Sequence, residues 1–113
     1  MRILILEDDG ARVKNFIELL HKHILDITEN AYDAIDMLEE NEYDLILLDH
    51  DLGEGNGSGS LVASFLSQME GPKVKTIIHS WNIPASRAMQ GYLPHAQIAQ
   101  YNTESFYDLV NAI

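Results

Sequence analysis

Five short apolar runs alternate with five longer segments of helical periodicity, and this order limits the fold more than any other feature of the sequence. The apolar runs lie at 2–6, 24–28, 44–48, 74–80 and 96–101. The helical segments lie at 10–23, 31–41, 60–69, 84–92 and 104–113. Strands that alternate with helices form a parallel sheet with helices on both faces. The sequence therefore predicts an α/β three-layer sandwich of flavodoxin-like type, with five parallel strands in the order 2-1-3-4-5.

Helical spacing also predicts which side chains of a helix face the sheet. The predicted inward residues of the first helix are Val13, Phe16, Ile17 and Leu20. Those of the third helix are Leu61, Phe65, Leu66 and Met69. Thr103 is the predicted N-cap of the last helix, because a threonine oxygen accepts a hydrogen bond from the first helical turn.

Composition narrows the classes of function. The 113 residues carry 18 acidic and 7 basic side chains and no cysteine, so disulfides and thiolate metal sites are excluded. The uninterrupted pattern predicts a single domain over residues 1–113. A net charge of −11 argues against a basic face for duplex nucleic acid. With no apolar run long enough for a membrane and no secretory signal pattern, the expected location is the cytoplasm.

Acidic and polar residues follow the apolar strands directly, most abruptly in the stretch YDLILLDHDLGEGNGSG at 43–59. The strand-end residues are Glu7, Asp8 and Asp9 after the first strand, Asp49, His50 and Asp51 after the third, and His79, Ser80 and Asn82 after the fourth. Ligands of such sheets bind outside the carboxyl ends of the strands, where the winding reverses. The predicted strand order places Asp8 beside Asp49 at that edge.

Two carboxylates brought this close repel each other, and a divalent cation removes the conflict. Oxygen ligands of this kind suit Mg²⁺ or Mn²⁺, with water or phosphate completing the coordination. The alternative is that the acids are helix N-terminal residues stabilised by the helix dipole, an interpretation that suffices for Asp9 alone.

The segments RILILEDD and YDLILLDHDL resemble the first strand and the phosphoacceptor strand of response-regulator receiver domains. The resemblance covers nearly the whole chain and implies a receiver-like fold, with Asp49 as the phosphorylatable aspartate and Ser80 as the hydroxyl residue after strand four. It further implies Mg²⁺ bound by Asp8, Asp49 and the backbone carbonyl of Asp51, with Glu7 supporting the cation through water.

The sequence departs from ordinary receivers at three places. The end of the fifth strand, QIAQYNTES, lacks the usual lysine; Trp81 stands where a small residue is usual; and LGEGNGSG replaces a loop that normally contains proline. With these departures the chain is similar to a narrower group, the cyclic-phosphate processing receiver domains. The segments EDDGARVKNF, LDHDLG and HSWNIPASRAM carry that similarity.

This resemblance implies metal-dependent hydrolysis of a cyclic phosphate or related phosphoester, with Asp49, Asp51 and His79 as candidate catalytic residues. Asp49 is either a nucleophile toward phosphorus or only a metal ligand. Asp51 is a candidate general acid or base, by analogy with phosphatases that carry two aspartates at this spacing. A histidine such as His79 transfers protons near neutral pH, although it is equally compatible with metal binding or with a purely structural role.

Three further residues are candidates for phosphate binding. Arg12, one turn into the first helix, is the predicted replacement for the missing lysine, and its alternative is a solvated helix arginine. Ser80 and Asn82 offer hydrogen-bond donors, whereas Asn82 also suits a helix cap. Trp81 either stacks on a nucleobase or packs on the fourth helix.

Two other functions stay open at this stage. One is a phosphoaccepting receiver that signals to a protein partner through the face of the fourth helix, fifth strand and fifth helix. The other is a non-catalytic pseudo-receiver that binds a ligand or partner. The missing lysine and the presence of His79 favour the phosphoesterase over the signalling receiver, with a small phosphorylated or cyclic-phosphate molecule as the expected ligand.

Overall fold

The computed structural model describes residues 1–113. Strands and helices alternate along the whole chain. The strands are β1 (Arg2–Leu6), β2 (Ile24–Thr28), β3 (Leu45–Leu48), β4 (Lys75–Ile78) and β5 (Gln97–Ile98). The helices are α1 (Gly10–Leu19), α2 (Ala31–Glu40), α3 (Gly59–Gln68), α4 (Ile83–Tyr92) and α5 (Glu104–Asn111).

All neighbouring strands are parallel, and their order is β2-β1-β3-β4-β5. The predicted fold class and strand order are therefore confirmed. Within the sheet, Leu6 pairs with Leu48, and Leu48 pairs with Ile78. The three central strands consequently end side by side, and the next residue of each leaves the sheet at the same level.

Each face of the sheet has its own hydrophobic core, because successive strand side chains point to opposite faces. On one face, every second residue of the central strands, such as Leu4 and Ile46, packs against α2, α3 and α4. On the other face, the intervening residues, such as Ile3 and Leu45, pack against Phe16 of α1 and the apolar side of α5. Both faces are covered, which explains why the central strands are apolar throughout.

The faces of α1 and α3 that were predicted to point toward the sheet are wrong at one residue each. Ile17 is 46% exposed and Leu61 is 40% exposed, so their predicted inward orientation is wrong. On α3 the buried residues are Gly59, Val62, Ala63 and Leu66. Gly59 brings the first turn of α3 against the end of β3, and this contact sets the rotation of the helix in a way that apolar spacing does not reveal.

The fourth and fifth strands are shorter than predicted. β4 ends at Ile78 and β5 spans only Gln97–Ile98, so His79 and Ser80 lie just beyond the sheet rather than in it. The predicted N-cap of α5 is confirmed, since the Thr103 side chain accepts a hydrogen bond from the Phe106 amide. None of the helices has the length and apolar character that crossing a bilayer requires.

We expect Gly59→Ala to destabilise the domain. A Cβ at this position would overlap the backbone carbonyl of Asp49 and lie 2.9 Å from Met89 Sδ. Relieving that overlap requires a backbone shift, for which overpacked sites typically cost about 1–3 kcal/mol. The free energy of unfolding in urea measures the loss.

Gly91→Ala is the matched control, because nothing lies within 4 Å of the added methyl group and the residue belongs to α4. There alanine stabilises a helix by up to about 1 kcal/mol. Equal effects of the two substitutions would contradict the close approach of α3 to Asp49.

Candidate functional site

Three ionisable side chains lie side by side directly beyond the central strands. Glu7, Asp49 and His79 follow the paired residues of β1, β3 and β4, so strand alternation directs all three toward the α1 side of the sheet. The exposed fraction is 2% for Glu7, 5% for Asp49 and 0% for His79. One ligand atom from each lies within 4.8 Å of the others. The in-register ends of three strands thus build a buried triad.

Glu7 is held by partners on every side. Its Oε1 lies 3.0 Å from His79 Nε2 and 3.7 Å from an Arg12 guanidinium nitrogen. Its Oε2 accepts hydrogen bonds from the backbone amides of Asp8 and Asp9, at 3.0 and 3.2 Å. Burial raises the pKa of Glu7, whereas the neighbouring Asp49 side chain, the Asp9 amide and the Arg12 charge oppose the shift. The carboxyl is therefore satisfied within the protein and fixes the turn between β1 and α1.

Asp49 stands at the boundary between the buried triad and solvent. Burial raises the pKa of Asp49 to about 6; the nearby His79 opposes this shift and the charge of Glu7 adds to it. A carboxyl with such a pKa ionises readily when a cation approaches, because the cation favours the charged form.

His79 lies beneath the site rather than in it. Its ring packs edge-on against Phe16 with centroids 5.1 Å apart, and burial lowers the pKa of His79 to about 4. The ring is therefore neutral at neutral pH, and its Nδ1 is buried with no hydrogen-bond partner. The side-chain hydrogen bond of His79 is to Glu7, and the proton-transfer role expected from the sequence stays a prediction.

Above the triad, a cleft of about 370 Å³ opens at the carboxyl edge of the sheet. It is lined by Asp8, Asp9, Arg12, Asp49, Asp51, Ser80, Trp81 and Asn82. Every residue predicted for the site therefore lines this cleft, except Glu7 and His79. Asp9 also caps α1, since its side chain accepts a hydrogen bond from the Arg12 amide at 3.0 Å, as the helix-dipole interpretation of Asp9 expected.

Asp51 is paired with its neighbour in the chain. Its Oδ1 lies 2.8 Å from His50 Nδ1, and its Oδ2 accepts a hydrogen bond from Asn82 Nδ2 at 3.2 Å. The hydrogen bond from His50 lowers the pKa of Asp51. The chain has already left β3 at this point, and Asp51 forms an isolated antiparallel bridge with Ser58.

Tyr101 supports two sides of the cleft, a role that its place in the sequence does not reveal. The Arg12 guanidinium lies over the Tyr101 ring, 4.9 Å from its centroid. The phenol oxygen accepts a hydrogen bond from Asn15 Nδ2 at 2.7 Å. The Tyr101 carbonyl accepts a hydrogen bond from Trp81 Nε1 at 2.8 Å. Tyr101 thereby orients both the Arg12 guanidinium and the Trp81 indole.

Asn82 and Ser80 shape the start of α4. Asn82 Oδ1 accepts a hydrogen bond from the Ala85 amide at 3.2 Å, so the capping alternative for Asn82 is confirmed. The Asn82 amide in turn donates to Ser80 Oγ at 3.0 Å. The amide nitrogen of the Asn82 side chain still faces Asp51, which keeps a donor at the cleft wall.

The donor set fits a divalent cation. Asp8, Asp49 and Asp51 all bring carboxylate oxygens to one cleft, and oxygen ligands suit Mg²⁺ and Mn²⁺. The second candidate set is the buried triad. There the Glu7 oxygens are hydrogen-bonded to His79 and to two backbone amides, just as the Asp51 oxygens are hydrogen-bonded to His50 and Asn82. Asp49 belongs to both sets and is therefore the ligand that the two arrangements share.

Comparisons with known proteins give a family match and solved structures of the same fold. The family model described as "Cyclic-phosphate processing Receiver domain" matches residues 2–95. The Mn²⁺-bound form of response regulator Rcp1 is 21% identical with a TM-score of 0.78, covering 99% of this chain and 90% of that one. Response regulator TrrA from Thermotoga maritima, in complex with Mg²⁺-BeF, is 21% identical with a TM-score of 0.76, covering 98% and 96%.

A third solved structure is the response regulatory domain of mrkE from Klebsiella pneumoniae. It is 21% identical with a TM-score of 0.73, covering 99% of this chain and 93% of that one. At these identities the likeness shows the fold alone. A search among curated proteins found no match.

We expect Asp49→Asn to stabilise the domain when no divalent cation is added. The pKa of Asp49 is about 6 in the folded state and 3.8 as an ordinary side chain, so ionisation weakens the fold as pH rises through this window. At pH 7 the gain is roughly 3 kcal/mol at 1.36 kcal/mol per pKa unit, and it shrinks toward pH 4. Urea unfolding at several pH values measures it.

Addition of MgCl2 provides the control for this experiment. A cation bound by ionised Asp49 stabilises the wild type by mass action and the Asn variant much less. The advantage of the variant should therefore narrow or reverse. A variant that is less stable than the wild type at every pH in cation-free buffer would contradict the raised pKa.

Proposed function

We propose, from the premise that the chain belongs to the cyclic-phosphate processing receiver domain family, that its cleft hydrolyses a cyclic phosphodiester or related phosphoester with the help of a divalent cation. The domain is a receiver of response-regulator type. Its fifth strand is followed by no lysine, the residue that ordinary receivers carry there.

One observation carries the proposal: three carboxylates and one arginine share a cleft. Asp8, Asp49 and Asp51 offer ligands to a cation, and Arg12 offers a guanidinium to the phosphate oxygens that the cation leaves free. Two proteins of the same fold, Rcp1 with Mn²⁺ and TrrA with Mg²⁺-BeF, bind divalent cations and so support the binding of one here.

The reaction adds water to phosphorus, breaks one ring P–O bond and yields a phosphomonoester with a free hydroxyl group. A bound cation would neutralise the phosphate and polarise the P–O bond. Asp49 either attacks phosphorus or orients the water, and both roles require its ionised form. Arg12 and Ser80 hold the non-bridging oxygens, while Asn82 Nδ2 orients Asp51 at the cleft wall.

Asp51 is the candidate proton acceptor in this scheme. The hydrogen bond from His50 lowers the pKa of Asp51, so this carboxylate is ionised at neutral pH and suits a base better than an acid. The neutral His79 has a positioning role: it holds Glu7, which in turn binds the amides of Asp8 and Asp9.

A second function, phosphoacceptance at Asp49, is favoured by the position of this aspartate at the end of β3 in a receiver fold. In that case the protein partner would bind the face formed by α4, β5 and α5. The two functions differ in the fate of phosphorus, which is released as a product in one and retained on Asp49 in the other. A domain with neither activity would be a non-catalytic binding module.

We expect turnover in a panel of 2′,3′- and 3′,5′-cyclic nucleotides assayed with Mg²⁺ or Mn²⁺. Asp49→Asn should abolish it. Arg12→Gln should lower kcat/KM by roughly 10- to 100-fold, since a hydrogen bond to a charged group contributes about 1.5–3 kcal/mol. Lys14→Gln, an exposed cation on the same helix, is the control and should change little. Absence of turnover with either metal would reject the enzyme.

We expect no long-lived phosphorylation of Asp49 after incubation with acetyl phosphate and Mg²⁺. Neither Gln100 nor Tyr101, which follow β5, supplies the positive charge that a lysine would bring to a phosphoryl group. Intact mass spectrometry measures the added phosphate, with Asp49→Asn as the control. A stable adduct in the wild type alone would favour the signalling receiver.

A further inference from the structure

We infer that Trp81 is a stacking surface for a nucleobase, so that the cyclic phosphate processed in this cleft belongs to a nucleotide. This inference rests on the proposed function and deepens it, because it names the class of substrate. It depends on the position of the Trp81 side chain in the cleft, on its exposure and on its hydrogen bond to Tyr101.

Trp81 is the one hydrophobic residue among those that line the cleft. The residue is 55% exposed although it carries the largest apolar side chain of the protein. Tryptophan at a protein surface is usually mostly buried, and leaving its ring in water forfeits the hydrophobic stabilisation that burial brings. An exposed indole beside Arg12 and Asp49 therefore offers a contact to something that enters the cleft.

The indole is anchored by a hydrogen bond at its edge, and more than half of the side chain is exposed. Its Nε1 donates a hydrogen bond to the Tyr101 carbonyl at 2.8 Å, so the polar atom of the ring is already satisfied. The edge-on aromatic cluster of the core joins Phe16, Tyr101, Phe106 and Tyr107 and does not include Trp81. A ring held at one edge, without an aromatic neighbour on its face, is pre-organised for stacking.

The geometry also joins the ring to the phosphate-binding side of the cleft. Tyr101 carries the Arg12 guanidinium over its ring and holds Trp81 through its carbonyl. The two contacts therefore have a fixed relation to each other. A ligand that places a phosphate on Arg12 and a planar base on Trp81 has the chemistry of a nucleotide, whereas a cyclic phosphate on glycerol or a simple sugar lacks the second group.

The other exposed apolar side chains do not offer this combination. Ile17, Ile24 and Tyr92 are comparably exposed, but none of them lines the cleft. Base stacking on an aromatic ring depends little on which base is present, since every base has a π-face. The inference therefore concerns nucleotides as a class.

A pair of substrates separates this inference from the proposed function. The probes are 2′,3′-cyclic AMP and glycerol 1,2-cyclic phosphate, each with Mg²⁺, and only the first has a base. Trp81→Ala should lower kcat/KM for the nucleotide by roughly tenfold or more, within the range that alanine substitution of a stacking residue gives. For the glycerol compound it should change kcat/KM less than about twofold.

Two further variants control for structure. Trp81→Phe keeps a ring but loses the hydrogen bond to Tyr101, and it should retain most of the activity toward the nucleotide. Tyr92→Ala removes an exposed aromatic residue outside the cleft and should affect neither probe. Equal losses on both probes in Trp81→Ala would overturn the inference while leaving the enzyme intact.

The inference is also testable if neither probe is turned over, because Trp81 is the only tryptophan of the chain. Binding of 2′,3′-cyclic AMP with Mg²⁺ to a stacked ring should quench the indole fluorescence, and glycerol 1,2-cyclic phosphate should leave it unchanged. Quenching without turnover would reject the enzyme but support the stacking site. No quenching by the nucleotide would reject the site.

Discussion

The hydrogen bond between Glu7 and His79 stabilises a buried group of three ionisable side chains. The sheet brings these side chains together. Because β1, β3 and β4 end in register, the next residues have no strand to join and all turn toward the α1 side. Burying three such groups without partners would cost several kcal/mol. The hydrogen bonds of Glu7 to His79 and to the turn before α1 offset that cost. His79 Nδ1 is left without a hydrogen-bond partner, and Asp49 is the one member of the triad that lines the cleft.

The region after β5 organises the opposite side of the same cleft. A lysine there would bring a charge directly, whereas Tyr101 contributes none of its own. It carries the Arg12 guanidinium on its ring and binds Trp81 through its backbone. The positively charged side chain of the cleft is thus Arg12 of α1, and Tyr101, which follows β5, holds its guanidinium in place.

The sequence predicted the sheet, its order and the residues of its carboxyl edge because these depend on local periodicity and on general rules of parallel sheets. The depth of each side chain was harder to predict. The burial of His79 depends on Phe16 packing beside the ring. Helical spacing predicted that Phe16 faces the sheet, but not that it meets this ring. The exposure of Leu61 and the support by Tyr101 likewise depend on contacts between elements distant in sequence.

The close approach of Gly59 has a mechanical consequence. At its first residue α3 touches the peptide carbonyl of Asp49, and the same position lies beside Met89 of α4. Interiors packed at this density have no free volume to absorb a displacement. A shift of the Asp49 backbone toward Gly59 would therefore meet the first turn of α3 and the Met89 side chain of α4, and it could not occur without moving them.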